Sequence, residues 1–122
     1  MDKLSDPQGT GDATTFKIQK LSVHECGYLV GMYLGDGSIY VKEEKGIYRV
    51  TFYLNPTEKE IIIQLKNLLE KLNLKPHCYK ATNGSFKVEI YSKWFVDWIR
   101  KINISDMDIE FAKGVIEGLS RQ

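Results

Sequence analysis

The stretch Leu29-Val30-Gly31-Met32-Tyr33-Leu34-Gly35-Asp36-Gly37 decides how this chain of 122 residues is interpreted. Together with Gly27 it places glycines four residues apart, so that they share one face of a helix. Each glycine costs a helix about 1 kcal/mol relative to alanine. A helix that accepts this cost three times gains from the close approach of another helix. The pattern therefore predicts a packing helix from about Val23 to Leu34, with Asp36 between two glycines at its end.

Ser22 and Glu25 have the spacing of a capping box, which predicts where that helix begins. Beyond it, alternating apolar and polar residues predict strands, and apolar residues at helical spacing predict helices. Asn83-Gly84 predicts a tight hairpin turn. The predicted elements are strands Ser38–Lys42 and Ile47–Leu54, a helix opened by Asn55 and closed at Asn73, strands His77–Thr82 and Ser85–Ser92, a helix with Trp94 and Trp98 in the core, and a last helix from about Asp106 to Leu119.

This order predicts an α+β fold of helix, hairpin, helix, hairpin and helix. We expect the four strands to form one antiparallel, saddle-shaped sheet with the helices on one face. Because side chains alternate along a strand, the other face is left exposed. Its predicted members are Ser38, Tyr40, Lys42, Arg49, Thr51, Tyr53, Lys80, Thr82, Lys87 and Glu89.

The composition narrows the class of protein. An apolar content of 43% with 27% charged residues is typical of a globular domain, and no apolar run approaches the roughly 20 residues of a membrane span. The net charge of +1 gives no argument for nucleic acid by itself. Cys26 and Cys78 are expected to be free thiols in a reducing, cytoplasmic setting. Residues 1–20 are expected to be a flexible tail, tethered by Phe16 and Ile18, before a domain at 21–122.

The quoted stretch resembles the nonapeptide motif of the LAGLIDADG homing endonucleases. Leu29, Gly31, Asp36 and Gly37 are identical to the motif, and Ser38-Ile39 continues it in the usual way. The predicted order of helices and hairpins also resembles the repeat unit of that family. The resemblance covers about Ser22 to Leu119, and it implies the family's helix–hairpin–helix–hairpin–helix fold.

For function, the resemblance implies a homing-type endonuclease that binds double-stranded DNA and cleaves it with Mg²⁺. In that family two motif helices, from two subunits or two repeats, pack along their small-residue faces and bring two acids together. Asp36 would be the catalytic acid and metal ligand, with the Gly35 carbonyl as a further ligand. The outward strand residues would read the major groove. The helix interface, in a homodimer or with a second repeat, would consist of Gly27, Val30, Gly31 and Leu34.

The last segment, Phe111 to Ser120, resembles a second copy of the motif that lacks its acid. Leu119 stands at the position of the acid, and Ser120 replaces the terminal glycine. Two explanations are open, namely one natural subunit of a dimer and the first half of a two-repeat enzyme. Two segments also lack residues that many members of the family carry near the cleavage centre. The end of the second strand has Leu54-Asn55-Pro56 in place of Gln and Lys, and the segment before the last helix has Asn103 and Ser105 in place of a lysine. These departures argue against cleavage without affecting the fold.

Three functions follow from this sequence. The first is a Mg²⁺-dependent endonuclease that acts as a homodimer, with one Asp36 from each subunit. The alternative is a cleavage-inactive DNA-binding module on the same scaffold, and the third is a protein-interaction domain that uses the exposed sheet face. Simpler interpretations of these features also stay open. Asp36 could be a turn residue, the outward cations could be ordinary solvated surface, and the glycine stripe could pack within its own chain.

Overall fold

The computed structural model describes residues 18–102 and 108–120. Its elements are α1 (Val23–Asp36), β1 (Gly37–Lys42), β2 (Ile47–Leu54), α2 (Lys59–Lys71), β3 (His77–Lys80), β4 (Phe86–Tyr91), α3 (Lys93–Lys101) and α4 (Ile109–Ser120). The predicted α+β fold is confirmed, with a single 3-10 turn at Glu43–Lys45 between the first two strands. The predictions for Phe16, Asn103 and Ser105 lie outside the described residues.

The four strands form one antiparallel sheet in the order β1-β2-β4-β3. The two hairpins therefore join through β2 and β4, where Val50 pairs with Ile90 and Phe52 pairs with Val88. These four residues are at most 1% exposed. They form the centre of a hydrophobic core between the sheet and the helices, so the helices cover one face of the sheet and leave the other free.

Helix α1 begins as its capping box predicts. Ser22 Oγ accepts the Glu25 N–H at 3.0 Å, and Glu25 Oε1 accepts the Ser22 N–H at 2.9 Å. The helix ends at Asp36, and Gly37 enters β1 directly with φ −110° and ψ 165°. Gly37 is required for space rather than for a left-handed turn, because a Cβ there would lie 2.6 Å from Tyr33 Cδ1. The interpretation of Asp36 as a turn residue is therefore wrong.

Strand β3 is shorter than predicted, and this changes which of its residues face outward. Residues 81–85 connect β3 to β4, instead of a two-residue turn at Asn83-Gly84. Lys80 lies opposite Phe86, which in turn lies opposite Leu54 on the core side of the sheet. The prediction that Lys80 and Thr82 share the outward face is wrong, since Lys80 belongs to the helix side and Thr82 to the turn. A shift of one residue in register exchanges the two faces of a strand.

The remaining core predictions agree with the structure. Trp94 and Trp98 pack against the core, and the Trp98 ring stacks on Phe95 with centroids 5.9 Å apart. Cys26 and Cys78 are both free thiols, as predicted. Ile18 also packs against the core, and its carbonyl accepts the Leu21 N–H at 3.1 Å. The contacts of the described domain thus include the expected tether at Ile18.

Candidate nucleic-acid interface

The face of the sheet opposite the helices carries three rows of side chains that run across the strands. Because paired residues on neighbouring strands share a face, the register defines each row. The first row is Tyr40, Arg49 and Tyr91, the second is Ser38, Thr51, Glu89 and His77, and the third is Tyr53, Lys87 and Tyr79. Lys42 extends this face at the end of β1. We call these eleven positions the outward face.

Charge is sorted onto the outward face although the whole chain is almost neutral. Lys42, Arg49 and Lys87 lie there with Glu89 as the one carboxylate in the rows. Three cations against one anion give a local excess of positive charge within a chain whose net charge is +1. A locally basic surface raises the local concentration of an anionic partner such as nucleic acid.

Aromatic rings hold the cations of the outward face in place. The guanidinium of Arg49 lies 4.8 Å from the centre of the Tyr40 ring. The Lys87 ammonium lies 5.3 Å from the centre of the Tyr53 ring and 5.9 Å from that of Tyr79. Cation–π contacts of this length are attractive. Arg49 and Lys87 are therefore restrained by rings of neighbouring strands on the same face.

Two predicted members of this face are covered by their neighbours. Thr51 is 2% exposed and Glu89 is 8% exposed, both in the second row. The Tyr79 hydroxyl donates to Glu89 Oε2 at 2.9 Å, and this bond raises the pKa of Tyr79. Thr51 and Glu89 lie beneath the longer side chains of the first and third rows. Their position fits support of those side chains better than direct contact with a ligand.

Sequence reasoning missed three residues of the outward face, which are His77, Tyr79 and Tyr91. The His77 and Tyr91 rings meet edge to face with centroids 5.8 Å apart, and the exposed fractions of Tyr79 and Tyr91 are 43% and 52%. Tyr91 could have been found from the alternation that identified Lys87 and Glu89. The two β3 residues could be found only with the correct register of that strand.

The glycine stripe of α1 packs against α4 of the same chain. A Cβ on Gly31 would collide with the Val115 carbonyl oxygen and would lie 3.0 Å from the Gly118 Cα. A Cβ on Gly27 would collide with the Phe111 carbonyl oxygen. The predicted interface is thus present at Gly27 and Gly31, but its partner is the chain's own last helix. The glycine stripe is therefore a contact within the chain, which was one of the two interpretations left open by the sequence.

The other two predicted interface residues of α1 have different environments. Val30 is 3% exposed, whereas Leu34 is 46% exposed. Gly114 and Gly118 of α4 complete the close approach from the other side, since a Cβ on either would meet the backbone of α1 at His24 or Tyr28. Both helices therefore contribute glycines, and their backbones approach too closely for any side chain to lie between them.

Gly35 and Asp36 lie at the exposed C-terminal end of α1. Because α1 leads directly into β1, Asp36 is only two residues from Ser38, the first member of the second row. The carboxylate is therefore placed at the junction between the helix pair and the outward face.

Residues 24–110 match the model of a protein family described as the LAGLIDADG-like domain. This chain belongs to that family. The match covers the motif in α1, both hairpins and the helices between them. The resemblance found in the sequence is thereby confirmed.

Solved structures of the homing endonuclease I-DmoI have the same fold as this LAGLIDADG-like chain. A complex of I-DmoI with DNA and calcium has a TM-score of 0.66 and 23% identity, over 80% of this chain and 56% of that one. A structure of mesophilic variants of I-DmoI has a TM-score of 0.66 and 22% identity, over 80% of this chain and 60% of that one. A complex of I-DmoI with DNA and manganese has a TM-score of 0.65 and 23% identity, over 80% of this chain and 60% of that one. This chain thus spans less than two-thirds of the length of these structures.

No match was found among curated proteins. None of the helices in residues 18–102 and 108–120 has the length and the apolar character of a membrane-spanning segment.

Within this LAGLIDADG-like domain, the residues present do not complete a divalent-metal site. Asp36 offers one carboxylate and Gly35 one carbonyl. Mg²⁺ is usually held in proteins by one or two carboxylates in near-ideal octahedral geometry. Over the described ranges, no group of three or more His, Cys, Asp or Glu side chains is placed to hold a metal ion. One acid alone does not make the paired site that the resemblance implies.

Leu119, at the acid position of the second motif, does not supply the missing ligand. Its side chain is apolar, and its backbone nitrogen lies 3.0 Å from where a Gly31 Cβ would be. Asp36 is five residues further along α1, which corresponds to about 7.5 Å along the helix axis. Helix α4 therefore occupies the place of a partner helix without bringing an acid to the level of Asp36.

Proposed function

We propose that this chain binds double-stranded DNA through the outward face of its sheet, and that it does not cut DNA by itself. The observation that carries the proposal is the arrangement of Arg49, Lys87 and Lys42 among tyrosines on the one sheet face that the helices leave free. The I-DmoI structures, which share the fold, include complexes with DNA. That likeness supports the same use of the sheet here.

The dimensions of the sheet suit a DNA groove. Strand β2 has eight residues, which at about 3.3 Å per residue span roughly 26 Å. At about 3.4 Å per base pair this length corresponds to roughly eight base pairs. The major groove of B-DNA is about 12 Å wide and admits a two-stranded ribbon. The paired central strands β2 and β4 are the ribbon that would enter it.

The outward face offers both kinds of contact that a DNA-binding protein uses. Lys42 lies at the end of the edge strand β1 with its side chain 40% exposed, and its Nζ lies 3.9 Å from Glu44 Oε2. An exposed pair of this kind is weak, so a phosphate can compete for the Lys42 ammonium. Arg49 and the tyrosines of the first row lie across the central strands and are placed for base edges. Phosphate contacts set affinity and position, whereas base contacts set sequence preference. We therefore propose sequence-dependent binding rather than simple charge attraction.

We propose that the chain alone does not cleave DNA because of the way α1 and α4 pack together. A two-acid site requires a second carboxylate beside Asp36. Helix α4 covers Gly27 and Gly31, which are the positions where a second motif helix would pack, and α4 has Leu119 where its acid would be. A homodimer formed through α1 would first have to displace α4 from the glycine stripe.

A Mg²⁺-dependent endonuclease is the second candidate, and the exposed Asp36 at the junction with the sheet favours it. Several I-DmoI structures were solved with divalent metals, among them calcium, manganese and magnesium. In this candidate, Asp36 and the Gly35 carbonyl would hold one side of the metal. The other side would come from another copy or from a second repeat.

Binding to a random-sequence duplex library tests the first candidate, with the salt dependence of the affinity as the readout. If Lys42 and Lys87 replace counterions on the DNA phosphates, the slope of log K against log salt is about −1.8 from these two groups alone, at −0.9 for each. Lys87→Ala is expected to reduce the magnitude of that slope by about one. An affinity that does not change with salt would contradict DNA binding.

The matched control for that experiment lies on the other side of the sheet. Lys80 is a strand lysine that pairs on the helix side with Phe86, so Lys80→Ala is expected to leave the slope nearly unchanged. Incubation of the same library with Mg²⁺ separates the two candidates. The wild-type chain is expected to produce no nicks, whereas nicks that disappear with Asp36→Asn would establish the endonuclease.

A further inference from the structure

Arg49 is held in the middle of the first row by two tyrosines. Its guanidinium lies 4.8 Å from the centre of the Tyr40 ring. Tyr91, its partner across β2 and β4, accepts a hydrogen bond from it that raises the pKa of Arg49. Both contacts restrict the side chain before any ligand arrives, so that less conformational entropy is lost on binding. Arg49 is a pre-organised cation.

The part of Arg49 that a ligand can reach is limited to one edge. Its Nε atom is buried and, over the described residues, has no hydrogen-bond partner. With Nε covered, the hydrogen bond to Tyr91 and any contact with a ligand come from the four N–H groups of the terminal nitrogens, Nη1 and Nη2. They are the tips of a planar fork and donate two nearly parallel N–H bonds. The matching ligand has two acceptors side by side in one plane.

The surroundings of Arg49 favour a neutral acceptor over a phosphate. Glu89 lies in the neighbouring row, diagonal to Arg49, and its negative charge contributes to the raised pKa of the guanidinium. The same charge repels a phosphate that would approach Arg49. In addition, Arg49 lies on the central strand β2, with paired strands on both sides. A residue there faces the floor of a groove rather than its phosphate walls.

Among the base pairs, guanine is the one with two adjacent acceptors on its major-groove edge, O6 and N7. We propose that Arg49 recognises one guanine of the DNA site by donating from Nη1 and Nη2 to O6 and N7, with Tyr40 and Tyr91 as the residues that position it. The inference rests on the proposed DNA binding, and it adds the base that is read and the residue that reads it. A lysine ammonium lacks the planar fork but can donate to the same two acceptors, so the test removes the cation instead of exchanging it.

The test begins with selection of binding sites by the full chain from a random duplex library, followed by replacement of each preferred guanine with 7-deazaguanine. This analogue keeps base pairing and O6 but lacks the N7 acceptor. Replacement of one guanine removes one of the two bonds and is expected to lower the affinity about 5-fold, the low end of the roughly 5- to 150-fold range for a whole two-bond contact. No loss at any guanine of the selected site would overturn the inference, and this measurement needs no variant protein.

Arg49→Ala then assigns the contact. The variant is expected to select sites without a preference at that position and to lose the penalty for 7-deazaguanine there. Lys87→Ala is the matched control, and it is expected to weaken binding to all sequences evenly while it keeps the guanine. If Arg49→Ala retains the same guanine preference, the inference fails although DNA binding stands. If the wild-type chain binds no DNA, the proposed function itself fails.

Discussion

His24 of α1 donates from Nε2 to Glu117 Oε1 of α4 over 2.7 Å, so a hydrogen bond joins the first and last described helices at the edge of their glycine contact. Glu110 approaches the same ring from the other side, with its Oε1 3.9 Å from Nδ1. Polar contacts thus border a helix pair whose centre is backbone against backbone. The two parts of this interface are expected to differ greatly in their contribution to stability.

Replacing His24 with Ala is expected to lower the free energy of unfolding by less than about 1 kcal/mol, because partly exposed ion pairs contribute little in water. The His24 and Glu117 side chains are 40% and 34% exposed. Urea unfolding of both proteins at the same pH measures the difference. A loss of several kcal/mol would mean that the polar edge, and not the glycine centre, holds α4 in place.

Replacing Gly31 with Ala is expected to cost more than the polar edge contributes. The new methyl group would collide with the Val115 carbonyl oxygen, and overpacking of this kind costs about 1–3 kcal/mol. The collision is with backbone atoms, which cannot rotate away, so we expect the upper end of that range. The gain in helix propensity, about 1 kcal/mol, then offsets only part of the cost. Leu34→Ala is the control on the same helix, since Leu34 is 46% exposed. Equal unfolding midpoints for Gly31→Ala and wild type would contradict the close packing of α4.

The Cys26 thiol is expected to react slowly with thiolate-directed reagents at pH 8. Burial raises the pKa of Cys26 to about 11 from an ordinary value of 9.0, so the protonated form, which is not nucleophilic, dominates until the pH approaches that value. Cys78, whose pKa burial also raises, is compared by using Cys26→Ser and Cys78→Ser in turn. Alkylation rates from pH 7 to 10 test this, with the urea-unfolded chain as the fast reference. Rapid alkylation of folded Cys26 at pH 8 would show that the site opens.

Replacing Glu89 with Gln is expected to tighten binding to non-specific DNA severalfold and to reduce discrimination among sequences. The change removes the carboxylate from the cationic outward face, while the amide oxygen can still accept the Tyr79 hydroxyl hydrogen that Glu89 Oε2 now accepts at 2.9 Å. Affinities for a selected site and for an unrelated duplex are measured at one salt concentration, since both depend on salt. Weaker binding to both duplexes would argue that Glu89 supports the fold of the face more than it tunes its charge.

The pKa of Tyr79 gives an independent check of that variant. The hydrogen bond to the Glu89 carboxylate and the negative charge of that group both raise it. Glu89→Gln keeps an acceptor but removes the charge, so the variant is expected to lower the pKa of Tyr79, measured by ultraviolet absorbance as the difference from wild type. An unchanged titration would show that the Tyr79–Glu89 bond does not persist in solution.

The sequence was sufficient for the elements whose signals are local. Ser22 and Glu25 identified the start of α1, and the alternation of Val50 and Phe52 with Arg49 identified the faces of β2. Side chains at such positions follow from the periods of helices and strands alone. Asp36 was also found locally, because its motif is contiguous.

What the sequence did not provide was the pairing between distant segments. The face of Lys80 was predicted incorrectly, since it depends on how many residues the β3–β4 connection contains and not on the residues of β3. Likewise, glycines four residues apart predict a close helix contact but do not indicate which segment forms it. Here the contact is with Val115 and its neighbours, more than 80 residues away. Burial of Thr51 and Glu89 depends on the size of side chains in neighbouring strands.

The covering of Gly27 and Gly31 by α4 has a consequence for any association between copies of this chain. A segment of the same polypeptide that the domain places beside a surface competes for it at an effective concentration of at least about the millimolar order that flexible tethers give. At a micromolar protein concentration, another copy's α1 with equal intrinsic affinity would therefore occupy the stripe in on the order of one molecule per thousand. Dilution makes the internal contact more dominant, and only a partner with about a thousandfold tighter binding would displace it.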